Sequence, residues 1–245
     1  MFMEYLIFII LGFLASLIDG CIGMAYGVFL TSSLTFLGYP LLISSSSVHF
    51  SEIFTTLFSG LSHFRAGNMD MRVVKKILLP GIIGGIIGAL FLSKINNDFI
   101  KPIVMVYLLL IGVYILIKFF VKNNKINIRN LPLIGGIGGF VDAVGGGGWG
   151  PIVSGSLIAK GVNPRKTIGS VNIVEFFVTF SQSLVFFYFV KFEAIKMIIC
   201  LIIGGALASP ISAYVVKKTR TDILMLWIAF VIICINCWAL FSFYM

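Results

Sequence analysis

Apolar stretches separated by short polar or glycine-rich gaps run at 3–18, 24–37, 44–64, 73–93, 99–117, 131–141, 150–159, 167–190, 195–216 and 222–244. Six of them approach the ~20 residues that a helix needs to cross a hydrocarbon core of ~30 Å. The stretches 131–141 and 150–159 are each only ~15 Å long at ~1.5 Å per residue. Between them the run Gly145 to Gly148 is a poor helix interior, and Pro151 suits the first turn of a new helix. The pattern predicts two half-helices meeting at a non-helical loop.

The same pattern is written twice. Sliding the chain by 123 residues aligns Gly12 with Gly135, Asp19 with Asp142, Gly23 with Gly146, Gly27 with Gly150, Glu52 with Glu175 and Thr56 with Thr179. Segment 3–37 is therefore expected to be broken as 131–159 is. An internal duplication with interrupted apolar segments at matching places points to a secondary transporter. The first repeat is read as 1–122 (broken segment 3–37; spans 44–64, 73–93 and 99–117). The second is 123–245 (broken segment 131–159; spans 167–190, 195–216 and 222–244).

Composition agrees with a chain that lies almost wholly in lipid: 59% hydrophobic and 11% charged, with a mean hydropathy of +1.09, against about a quarter charged in soluble domains. The net charge of +9 comes from 18 Lys and Arg in short loops, the topology signal of a membrane protein rather than a nucleic-acid surface. The apolar start, with Glu4 and no basic residue before it, is expected to stay in the mature protein. Cys234 and Cys237 have CxxC spacing without a second ligand pair, so a packed thiol pair is expected and neither a metal nor a cofactor.

The basic residues also choose between broken segments that cross and ones that turn back. If both cross, the two sides carry ten and eight Lys and Arg, which is no bias. If both turn back, Lys94, Lys101, Lys191 and Lys196 stand alone against the other fourteen, as the positive-inside rule prefers. Each repeat then has three crossings, so the second copy is inverted and both termini face outward. The expected fold is an all-α, multi-pass protein of the cell (inner) membrane. It has two inverted repeats, each a re-entrant or broken helix hairpin plus three transmembrane helices.

Four of the nine acidic residues, Asp19, Asp142, Glu52 and Glu175, fall inside apolar segments with no Lys or Arg equally deep. An ionisable group there costs ~2.5–3.5 kcal/mol, which makes it a functional candidate. Ser45, His49, Glu52, Thr56, Ser59 and His63 recur at helical steps, as do Asn172, Glu175, Thr179 and Gln182 in the second copy. Such stripes line a watery path or hydrogen-bond across packed helices. Gly84, Gly85, Gly88, Gly204 and Gly205 are assigned to close helix packing.

Four consecutive glycines at 145–148 leave free N–H groups at the start of a half-helix, where an anion is favoured. The candidate substrate site is therefore Gly20, Cys21, Gly23, Tyr26, Gly27, Thr31 and Ser32 from the first copy. Gly145, Gly146, Gly147, Gly148, Trp149, Ser154 and Asn172 complete it from the second. The coupling or gating set is Glu52, Glu175, His49, Asp19, Asp142, Thr56, Thr179 and Gln182. Within it, His49 is the group whose charge changes near neutral pH, and Asp19 and Asp142 are expected to cap the loops rather than touch an anion. Cys21 is either a small packing residue or a contact for a sulfur-containing substrate.

At Gly20–Gly27 and Gly145–Gly150, each followed by a small-residue segment and a polar helix, the chain resembles the TauE/SafE family of sulfite exporter-like permeases. The first motif departs from the glycine-rich pattern through Cys21, Met24, Ala25 and Tyr26. The resemblance implies transport of sulfite, an organosulfonate or another small sulfur-containing anion; the leading expectation is alternating access by one repeat rocking against the other, coupled to protons or driven by the anion's own gradient. Three other readings stay open. A cation carrier would use the four carboxylates. An intramembrane hydrolase would need Ser154 or Ser156 near His49 or His63. A non-transporting scaffold would tolerate loss of Glu52 and Glu175.

Overall fold

A computed structural model of the chain describes residues 2–22, 24–65, 67–120, 130–159, 162–190 and 194–218, with separate residues between 226 and 241. The regular elements among them are helices: α1 (Phe2–Ile22) and α2 (Tyr26–Phe36) flank the first break, followed by α3 (Leu41–Arg65), α4 (Met71–Lys94) and α5 (Asn97–Phe120). Then α6 (Leu131–Gly145) leads into the second break. A wide π-helical turn (Gly150–Ser154) continues into α7 (Gly155–Ala159), α8 (Pro164–Val190) and α9 (Ile195–Lys218).

The stretches 44–64, 73–93, 99–117, 167–190 and 195–216 lie within α3, α4, α5, α8 and α9. The stretch 222–244 falls largely outside the described residues, as do Gly23, the surroundings of Gly20 and the side chain of Cys21. Both half-helices that enter a break run longer than the sequence pattern, α1 reaching Ile22 rather than stopping at 18. The half-helix expected to stop at 141 runs on to Gly145, so the second break is confined to 146–148. Gly146 ends the helix at φ +62°, a left-handed conformation that glycine adopts without a Cβ clash.

Charge and polarity are distributed inside out. Phe58, Phe64, Leu79, Leu133, Leu184 and Tyr188 are exposed, while Ser45, His49, Glu52, Thr56, Asp142, Glu175, Thr179 and Gln182 are buried. Apolar side chains outside and hydrogen-bonding ones inside suit a lipid surround. Met71–Lys94 and Lys166–Val190 are long and apolar enough to cross a membrane.

The helices pair across the duplication. The most extensive contacts are α4 on α6 and α1 on α9, followed by α3 on α8. Glycines set these approaches: a Cβ on Gly84, Gly88 or Gly139 would overlap the main chain of Gly136, Phe140 or Gly81, and one on Gly12 or Gly204 that of Leu201 or Ile9. Close backbone packing of this kind holds helices together in lipid, where apolar burial gives little net drive.

At the start of α4, Asp70 accepts the Arg72 N–H at 2.9 Å and pairs with its guanidinium at 3.0 Å. These bonds hold the Asp70 carboxyl below the usual range. Asp70→Ala is expected to cost about 0.5–1 kcal/mol at neutral pH in thermal unfolding. Because the folded-state value is depressed, the difference should vanish as acid protonates Asp70 in both states.

Candidate functional site

The site grows from the end of α6. The last carbonyls of a helix have no partner within it, and here the first half of the chain supplies three donors. Thr31 Oγ1 from α2 donates to the Gly146 carbonyl, and Ser45 Oγ from α3 donates to that of Ala143 at 2.7 Å. His49 Nε2, also on α3, lies 3.2 Å from the Asp142 carbonyl, which also accepts the Gly146 and Gly147 N–H groups of the helix end. The positions 123 residues on do not repeat this arrangement. Ser154 Oγ is buried without a partner, Ile168 has no donor, and Asn172 Nδ2 donates instead to Ser59 Oγ.

Asp142 organises the second break. Its Oδ1 accepts the Trp149 N–H at 3.0 Å, capping the new half-helix. Its Oδ2 accepts from Gln182 Nε2 at 3.1 Å, and the same amide donates to the Gly139 carbonyl at 3.1 Å. Asp19 stands in the same relation to the Tyr26 N–H at the first break. Tyr26 and Trp149 both send their side chains to the polar helix that follows: Tyr26 OH donates to Ser51 Oγ at 2.9 Å, and Trp149 Nε1 to the Val171 carbonyl at 3.4 Å.

The two breaks meet main chain to main chain. A Cβ placed on Gly27 would lie 2.6 Å from Gly147 Cα and 2.7 Å from the Gly146 carbonyl oxygen. Beside this contact is a narrow, partly open pocket with room for about one water molecule. It is lined by Asp19, Met24 to Val28, Glu52, Asp142, Gly147, Gly148, Gly150, Pro151 and Glu175. All four intramembrane carboxylates therefore face one small space. Among the described residues no Lys or Arg is buried, and no three His, Cys, Asp or Glu side chains converge closely enough to hold a metal ion.

Of the residues singled out in the sequence, Tyr26, Gly27, Gly147 and Gly148 line the pocket together with Asp19, Glu52, Asp142 and Glu175. Others are turned to different tasks. Thr56 and Thr179 each donate to the carbonyl four residues back, at 2.7 and 2.8 Å, on Glu52 and Glu175. Ser32 Oγ accepts from Asn236 Nδ2. The Trp149 indole fills the room left by Gly81 on α4, and Val153 that left by Gly138 on α6. Gly145 remains in the helix. His63 Nδ1 lies 3.4 Å from Asn68 Nδ2, so neither histidine is positioned against Ser154.

Tyr107 on α5 was not marked by any motif. Its hydroxyl donates to the Gly147 carbonyl at 3.4 Å, and its ring occupies the space that a Cβ on Gly145 would need. The only sequence signal for it is the pair of glycines it packs on.

Comparison with known proteins places these features. The "Sulfite exporter TauE/SafE" family matches residues 8–239. The chain is 38% identical to the "Probable membrane transporter protein YtnM" of Bacillus subtilis (strain 168) over 244 residues, covering 95% of this chain and 81% of that relative. It is also 25% identical to the "Probable membrane transporter protein YdhB" of the same organism, over 69% of this chain and 73% of that relative. No solved structure matches it.

Proposed function

The chain belongs to the sulfite exporter TauE/SafE family of membrane transporters, and from that premise we propose that it is a secondary permease for a small sulfur-containing anion such as sulfite or an organosulfonate. The observation that carries the reading is the meeting of the two glycine breaks, Gly27 on Gly147, beside a narrow pocket. In interrupted-helix transporters the site lies where half-helices end. The half-helix starts at Tyr26 and Trp149 aim partial positive charge at the pocket, and Asp19 and Asp142 are tied to those N–H groups as caps.

Alternating access between two inverted repeats, 1–122 and 123–245, is part of the proposal, as is a cell-membrane location with both termini outside. Its support is the recurrence of helix order at the 123-residue offset and the exchanged packing, in which α1 lies on α9 and α6 on α4. Each of these pairs takes one helix from either repeat, so the packed pairs, and not the sequence halves themselves, are the bodies that would move. One observation favours a second reading: four carboxylates around one pocket are the lining a cation carrier would use.

Uptake of labelled sulfite into proteoliposomes, competed by sulfoacetate, taurine, sulfate and thiosulfate, separates the two. Saturable uptake blocked by a sulfonate is expected. Glu175→Gln should lower it by roughly tenfold or more, about 1.4 kcal/mol. Uptake no greater than in empty liposomes for every anion, with cation uptake in its place, would transfer the assignment to the second reading.

A further inference from the structure

Resting on the permease reading, we propose that His49 and Glu52 together hold one transferable proton, and that this proton travels with the anion. The argument starts from donors and acceptors. His49 Nε2 lies 3.2 Å from the Asp142 carbonyl oxygen. A carbonyl only accepts, so Nε2 carries the hydrogen and the tautomer is fixed. In a neutral ring Nδ1 is then a bare acceptor. It faces Glu52 Oε2 at 3.5 Å and Asp142 Oδ2 at 3.8 Å. Nδ1 and Oε2 are both buried without a hydrogen-bond partner.

Three acceptors pointed at one another in a dry site repel. One proton resolves the conflict, whether it sits on Nδ1 as imidazolium or on Oε2 as an acid donating to Nδ1. Asp142 is less suited to take it, because its two oxygens already accept from Trp149 and Gln182. The remaining surroundings supply no other counter-charge. Phe186 of α8 stacks on the imidazole with centroids 5.8 Å apart and planes 8° apart. Asp19 of α1 and Glu175 of α8 add carboxylates to the pocket. Tyr26 of α2 and Tyr107 of α5 give their hydroxyls to Ser51 and Gly147.

The site is single. The position equivalent to His49 is Asn172, which holds no exchangeable charge and bonds to Ser59. The geometry also joins the proton to the anion. Glu52 lines the pocket and His49 lies behind it, so a proton on the pair removes one negative charge from the wall an anion must approach. The proton is taken from the compartment to which the pocket is open and released on the other side when the pair gives it up. For a monoanion the cycle is electroneutral.

The test uses the full chain in proteoliposomes, with labelled sulfite to establish uptake and a labelled alkanesulfonate, a monoanion with no titratable proton of its own near neutral pH, for the proton count and accumulation, beside a trapped pH dye. Wild type is expected to take up one proton per monoanion and to sustain up to about tenfold accumulation across a one-unit pH gradient. His49→Gln keeps a donor for the Asp142 carbonyl, and His49→Asn copies the second repeat. Both are expected to let accumulation fall to unity while anion exchange at equal pH continues. Accumulation retained by either variant would overturn the proposal, as would wild-type uptake indifferent to the gradient. Loss of exchange as well in both variants, with the protein still monodisperse, would overturn it too, since His49 would then serve transport itself. Absence of any anion uptake by wild type would instead refute the permease reading.

Discussion

Asp142→Ala is expected to destabilise the protein by roughly 3–5 kcal/mol, the range for removing one partner from a buried charged network, and to abolish transport. The substitution strips the acceptor from the Trp149 N–H and one acceptor from Gln182 Nε2, and takes away a carboxylate 3.8 Å from His49 Nδ1. Each orphaned buried donor costs about 1–3 kcal/mol. Asp142→Asn should be much milder, at about 1 kcal/mol. Its amide oxygen keeps the Trp149 cap, and Gln182, whose Oε1 has no partner, can turn that oxygen to the new amide at the expense of Gly139. Thermal unfolding in detergent compares the two. Equal losses for Ala and Asn would show that charge, rather than the cap, sets the stability of the break.

Gly147→Ala is expected to be the most damaging single methyl among the described glycines. Its φ of +153° is one that side chains rarely adopt, and the added Cβ would overlap the main chain of Gly27 and Val28. Neither neighbour is a flexible side chain that can swing aside. Backbone strain and overpacking each contribute about 1–3 kcal/mol, so little folded protein should be recovered by size-exclusion chromatography. Gly136→Ala is the matched control. It sits in α6 with nothing nearer than 3.7 Å to the new Cβ, and gains up to about 1 kcal/mol of helix propensity. Comparable recovery of the two variants would mean that the breaks do not depend on direct main-chain contact.

What the sequence made legible followed from periodicity and duplication. The 123-residue offset paired Asp19 with Asp142, and both carboxylates accept the N–H seven residues on, at Tyr26 and Trp149. The polar steps from Ser45 to Thr56 made one buried face. The glycines read as packing surfaces, Gly84, Gly88 and Gly204 among them, do lie on neighbouring main chain. Periodicity gives the face of a helix but not the partner of each hydroxyl. Thr56 and Thr179 lie on the predicted stripe yet bond back to their own helices, an option always open to a helical threonine. Trp149 lies beside the break in sequence, yet its indole packs into the space left by Gly81 on another helix. The three donors on the end of α6 come from the first copy only, with His49 against Asn172 and Ser45 against Ile168; what they bond to follows from the three-dimensional register of α6.

The exchanged helix pairs bear on how such a chain is made. The main packing surface for α1 is α9, which begins at Ile195. At ~5–20 residues per second, roughly 10–40 s pass between synthesis of the first helix and arrival of its partner. Through that interval Gly12 and the rest of the α9-facing surface of α1 must wait against lipid or the insertion machinery. The α6-facing surface of α4 waits a shorter time. Neither half can bury its own glycine faces alone, so a ribosome that stops midway leaves an unfinished chain rather than a smaller transporter. Quality control in the membrane would have an open glycine seam to recognise.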